Sequence, residues 1–171
     1  AEELSPSSSH GVTTAVMGNC GVGFAPCRRA DHDMLINVME GVEDIPGVVM
    51  TEGLDWDWET FPEYLDKVAA GKRDIDVAAY LPHSPLRVYA MGARGAAREV
   101  ANEDDLALMR RLTAEAMRAG ALGFATSRLS IHKTADGQAI PTFDTDIAEL
   151  EAITSGMKDA GAGTFQVVLD A

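Results

Sequence analysis

The segment HGVTTAVMGNCGVGFAP, residues 10–26, is a β-branched and apolar run that passes directly into a loop with glycines at 18, 21 and 23. It reads as a buried strand whose end turns sharply, because Gly18, Gly21 and Gly23 tolerate backbone angles that other residues avoid. A polar side chain is thereby left projecting over the strand end, and Cys20 is the best candidate for it. Three chemistries are open to that thiol: a thiolate ligand to a transition metal, a nucleophile paired with a histidine, or an inert buried group. The glycines match neither GK[ST] nor GxGxxG, so a phosphate cradle is weakly signalled.

Outward from this segment, three further apolar or small-residue runs end at turn signals: Ile75 to Leu81, Ala121 to Thr126 and Thr164 to Leu169. Helical patterns lie between them. Leu35, Val38 and Met39 share a face of a helix beginning near Ala30 that Gly41 is expected to stop. Thr60 with Glu63 has the spacing of a capping box, followed by Leu65 and Val68 and a stop at Gly71. Asn102 precedes an acidic first turn and the stripe Leu106, Met109, Leu112 and Ala116, and a last helix carries Ile147, Leu150, Ile153 and Met157 up to Gly161. Strand and helix alternate, which argues for parallel strands with helical crossovers in either an α/β barrel or a doubly wound sheet. The stretches after the strands (19–29, 82–101 and 127–143) are long, and in both architectures such loops carry the site. Four strands are half of an eight-stranded barrel, and no internal repeat or linker marks a second domain.

The 171 residues hold 14 Lys and Arg against 27 Asp and Glu, a net charge of −13, with 46% hydrophobic residues. That is length enough for one sizeable core. The charge repels phosphate backbones and anionic lipid, and no basic patch is concentrated, so nucleic acid and membrane surfaces are excluded as partners. No apolar run approaches the roughly 18 residues that span a bilayer. The start, AEELSPSSSH, has no apolar core of a secretory signal and no initiator Met, which points to a cut. Cys20 and Cys27 are too few for a disulfide framework, and a reducing cytoplasm is the expected compartment.

The blocks GVTTAVMGNCGVGFAP, MEGVEDIPG, WDWETFPEYLD, PHSPLRVYAMG, ARGAA, EAMRAGALGFATSR and AGAGTFQVV, in this order, resemble those of the N-acyl-D-amino-acid deacylases (D-aminoacylases) of the amidohydrolase superfamily. The resemblance implies a zinc-dependent amide hydrolase on a (β/α)8 barrel, here a partial TIM-type barrel of about four parallel strands with intervening helices. It puts the family's GNCG zinc-ligand cysteine on Cys20, and the histidine of its HxxLR block on His83, expected to line the pocket and orient water or substrate. A loop histidine held by backbone hydrogen bonds is the plainer reading of His83. The implied substrate is a small acylated amino acid or related amide.

Arg128, in the block TSRLSIHK, is a candidate to pair bidentately with the carboxylate of such a substrate, against the plainer reading of a surface arginine neutralising nearby aspartates. His132, beside Lys133, is expected to be solvent-exposed. Glu43 and Asp44 before Pro46-Gly47 read as loop and cap chemistry rather than paired acid–base groups, and Trp56 and Trp58 as packing over the barrel rim, with the wall of a substrate pocket as the alternative. The sequence departs from the family in having no HxH pair: His10, His32, His83 and His132 are isolated. Nothing after Leu169 supplies the later histidines or the catalytic aspartate, and Asp170 follows the wrong strand to be that aspartate. Residues 1–171 are therefore expected to be a single partial barrel domain that lacks the first strand and the C-terminal half, inactive alone, with open strand edges that invite self-association. Two rival readings stand beside this one: a stand-alone α/β module holding an anion at a helix N-terminus, and a hydrolase with Cys20 as nucleophile and His83 as its base.

Overall fold

The computed structural model describes residues 4–170. In chain order the elements are α1 (Ser5–Ser8), β1 (Thr14–Met17), 3-10 turns at Asn19–Gly21 and Arg29–Asp31, α2 (His32–Glu43), α3 (Gly47–Gly53), α4 (Phe61–Ala70), β2 (Asp76–Pro82), α5 (His83–Met91), α6 (Ala93–Ala96), α7 (Glu103–Ala119), β3 (Gly123–Arg128), α8 (Ile147–Ala160) and β4 (Thr164–Leu169). The strands are parallel in the order β1-β2-β3-β4. Helices connect them, so the architecture is a half-barrel of the (β/α) type. Register pairs Thr14 with Asp76, Tyr80 with Gly123, and Phe124 with Phe165.

Local chemistry sets the helix ends. Thr60 and Glu63 form the capping box of α4, with Glu63 N–H donating to Thr60 Oγ1 at 3.3 Å and Thr60 N–H to Glu63 Oε2 at 2.8 Å. Asn102 and Asp105 do the same for α7, at 2.9 Å in each direction. Gly120 and Gly161 close α7 and α8 in the left-handed conformation. α2 differs from expectation: Gly41 does not stop it, and it runs to Glu43, where Asp44 takes the left-handed cap at φ 54°. Gly41 is instead a contact residue, since a Cβ there would lie 2.3 Å from the Lys133 carbonyl oxygen.

The stretch 82–101 that read as a long loop folds as α5 and α6. His83 to Val88 are all buried, which erases the apolar–polar period by which an exposed helix is seen in sequence. Leu81, Phe124, Met109 and Ile153, none of them exposed, form the centre of the core between the strands and helices α7 and α8. Each such side chain contributes about 1.5–3 kcal/mol by leaving water. On β4 the same-face neighbours Phe165, Val167 and Leu169 are 38%, 40% and 58% exposed. Their register partners Phe124, Thr126 and Arg128 face the helix layer, and among the described residues no helix extends that layer over β4. No helix among the described residues is long and apolar enough to cross a membrane.

Candidate functional site at the carboxyl ends of the strands

β1 ends at Met17 and the chain reverses through Gly18, at φ 83°, into the turn Asn19–Gly21. Cys20 itself sits at φ 57° and Gly21 at φ 70°. A cysteine in the left-handed region stores backbone strain, which surrounding structure must hold in place. The holding contacts are visible: a Cβ on Gly18 would lie 2.7 Å from the Tyr80 carbonyl oxygen, and one on Gly21 2.7 Å from that of Ala125 and 2.8 Å from Thr126 Cα. Only glycine on both sides lets the turn press against β2 and β3. Asn19 Nδ2 donates to the Val16 carbonyl at 2.9 Å and closes the reversal. The Cys20 thiol is free and half-buried, and burial, with a smaller contribution from Glu43, raises its pKa above 9.0. Cys27 is fully buried, and desolvation, then Asp31 and Glu59, push its thiol up to about 12.

His83 does not open onto the strand ends. It is fully buried on the helix side of the sheet, with Nδ1 2.8 Å from Thr126 Oγ1 and Nε2 2.8 Å from Glu149 Oε1. A carboxylate only accepts, so the ring proton sits on Nε2 and Thr126 donates its hydroxyl to Nδ1. Glu149 is paired through its second oxygen with Arg87, which also donates to the carbonyls of Gly95 and Glu99. Burial lowers the pKa of His83 and outweighs the opposing pull of Glu149, so the imidazole is neutral. Burial by itself would raise the Glu149 carboxyl, but its bonds to His83 and Arg87 bring it below its ordinary value. The result is a neutral buried cluster that ties α5, α8 and β3 together. Its sequence signal was present in part, because His83 and Arg87 are four apart on one helix face; Glu149 lay unmarked in the first turn of α8.

Arg128 ends β3, half-buried, with Nη2 donating to the Thr145 carbonyl. His132 departs from its expected exposure: it is half-buried, and its Nδ1 lies 2.8 Å from the Oγ of fully buried Ser127. Hydrogen bonding to a buried hydroxyl, invisible in a polar stretch of sequence, draws the ring in. Glu43 and Asp44 are exposed, and the Asp44 N–H caps α2 on the Glu40 carbonyl at 3.1 Å. Trp58 donates Nε1–H to the Phe24 carbonyl at 2.8 Å, and Trp56 stacks on His32 with ring centres 3.9 Å apart. These rings wall a cavity of about 590 Å³ that includes Cys27 and Glu59 but none of Cys20, His83 and Arg128. The three expected site residues are thus not gathered into one pocket. Among the described residues no group of three or more His, Cys, Asp and Glu is placed to hold a metal ion.

Residues 1–171 match the amidohydrolase family along their whole length. A D-aminoacylase of Alcaligenes xylosoxydans xylosoxydans is 32% identical over 124 residues, 72% of this chain and 23% of that protein. An N-acyl-D-aspartate deacylase of the same organism is 32% identical over 72% of this chain and 22% of its own length. The chain therefore spans less than a quarter of these relatives. A crystal structure of D-aminoacylase superposes with a TM-score of 0.65 at 26% identity, over 94% of this chain and 29% of that one. The N-acyl-D-glutamate deacylase of Bordetella bronchiseptica, solved with zinc and a phosphonate inhibitor, shares the fold with a TM-score of 0.65 at 24% identity.

Proposed function

The chain belongs to the amidohydrolase family, and from that premise we propose that it is part of a zinc-dependent enzyme that hydrolyses the amide bond of N-acyl-D-amino acids. One observation carries the reading: a single thiol, Cys20, is held on a strained turn at the carboxyl edge of parallel strands, where barrel enzymes keep their chemistry. A soft thiolate is an apt donor for zinc, which as a Lewis acid polarises carbonyls and activates water. One thiolate does not make a tetrahedral centre, and the described residues bring no second and third donor to it. We therefore place residues 1–171 as one partial barrel domain lacking the first strand and the C-terminal half, whose remaining metal ligands and catalytic aspartate come from outside this span, and which is inactive alone. Coverage of under a quarter of the deacylase relatives supports that placement.

In this reading Arg128, on the helix side of β3 with Nη2 on the Thr145 carbonyl, braces the strand end and the His83 cluster instead of meeting an acyl-amino acid. His83, with both nitrogens engaged, holds the end of β3 rather than touching substrate. The two free thiols support a reducing, cytoplasmic setting. The test compares metal content and hydrolysis of N-acetyl-D- and N-acetyl-L-amino acids by the full-length polypeptide and its Cys20→Ser variant. The expected result is D-selective hydrolysis with about tenfold or more weaker zinc retention in the variant. Metal-independent hydrolysis that thiol alkylation abolishes would overturn it in favour of a cysteine nucleophile.

A further inference from the structure

Ser127 and His132 make a pair that has no part in the reading above. Ser127, fully buried, is the penultimate residue of β3; its Oγ lies 2.8 Å from His132 Nδ1 and accepts the Leu129 N–H at 3.2 Å. A hydroxyl has one proton to give, and a buried one must find an acceptor. Leu129 N–H is itself a donor, and among the described residues His132 Nδ1 is the sole acceptor within reach of Ser127 Oγ. The serine proton therefore points at Nδ1, and the imidazole proton is fixed on Nε2.

The loop that carries His132 is braced on several sides. The Ser130 N–H donates to Asp170 Oδ2 at 3.0 Å, the Ala135 N–H to the Asn37 carbonyl at 2.9 Å, and Gly41 packs against the backbone of 133–135. Half-buried in that loop, His132 has no hydrogen-bond partner for Nε2 among the described residues. It follows β3 as Cys20 follows β1, so parallel topology sets both at the same edge of the sheet. Ser127 points to the face of β3 opposite the helix-facing Phe124, Thr126 and Arg128.

We propose that His132 is a substrate-binding residue: its Ser127-fixed Nε2–H donates to the carboxylate of the acylated amino acid. The identity of the ligand rests on the proposed function; the tautomer does not. A directed N–H donor suits a carboxylate oxygen, the strongest acceptor the ligand offers.

The test has two arms on the full-length, zinc-loaded polypeptide. Nitrogen-15 NMR of the histidine rings is expected to show His132 in the Nε2–H tautomer at neutral pH. KM is measured for the N-acetyl-D-amino acid turned over fastest among alanine, methionine, aspartate and glutamate derivatives. His132→Ala and His132→Asn are expected to raise it about tenfold or more with kcat little changed. His132→Gln, whose amide N–H reaches the Nε2 position, is expected to stay within about threefold of the parent. An Nδ1–H tautomer, an unchanged KM in His132→Ala, or rescue by asparagine instead of glutamine overturns the inference and leaves the proposed function standing. Absence of turnover of every N-acetyl-D-amino acid, with the Nε2–H tautomer intact, overturns the proposed function and the assigned ligand together. The wild-type spectrum decides the tautomer even where a variant fails to fold.

Discussion

Cys20 and Cys27 are seven residues apart in one loop; burial raises both thiols, and Cys27 is the more deeply enclosed. Cys27 is 1% exposed with its thiol pushed up to about 12, whereas Cys20 is half-buried at the strand edge. Iodoacetamide at pH 8 is expected to alkylate Cys20 and spare Cys27 in the folded protein, as peptide mapping would show; equal labelling would remove the distinction. His83 has its own pH signature. Folded, it titrates below 6.5; unfolded, it takes up its proton near 6.5. Between those values the unfolded state binds more protons, so stability is lost as pH falls from about 6.5. Glu149, held below 4.5, adds loss in the same direction at lower pH. Urea unfolding at pH 7.5 and 5.5 is expected to give the lower stability at 5.5, with the difference reduced in His83→Gln.

Two elements depend on contacts that a single substitution breaks. The Cys20 turn rests on β3 through Gly21, whose φ of 70° and 2.7 Å Cβ approach to the Ala125 carbonyl oxygen exclude any side chain. Gly21→Ala is expected to destabilise by at least about 2 kcal/mol in chemical denaturation and to loosen Cys20, raising its alkylation rate. α5 and α8 are joined through Arg87 and Glu149, which are 2% and 1% exposed. Arg87→Met leaves the Glu149 charge buried with only His83 beside it, and a loss of about 3–5 kcal/mol is expected. A loss under 1 kcal/mol would mean that water reaches the carboxylate. These ties are why α5 escapes sequence reading while α4 and α7 do not. α4 and α7 announce themselves with capping boxes and exposed polar faces, whereas α5 begins after Pro82 with no side-chain cap and is buried from His83 to Val88.

Across the molecule, β1 and β4 are sheet edges, and β4 presents Phe165, Val167 and Leu169 partly exposed on one face. Unpaired edge groups beside an apolar strip favour association. The 171-residue chain is expected to sediment with a concentration-dependent mass, and a single monomeric species up to about 100 μM would count against that. Substituting Val167→Lys and Leu169→Lys is expected to suppress the association, because charge on an edge strand opposes strand-to-strand pairing.

Strand and helix alternation, the capping boxes, the GNCG turn and the family are all legible in the residues alone. Each of these is local in the chain: a period, a spacing or a glycine pattern that neighbouring residues enforce. Packing of the whole chain is what encloses His83 between Thr126 and Glu149, makes Gly41 a contact instead of a stop, and sets Ser127 against His132. Those outcomes depend on atoms 5 to 94 positions apart meeting at hydrogen-bond or van der Waals distance. A buried polar group is satisfied by whichever partner the packed chain brings to it, and a one-dimensional pattern does not record that partner.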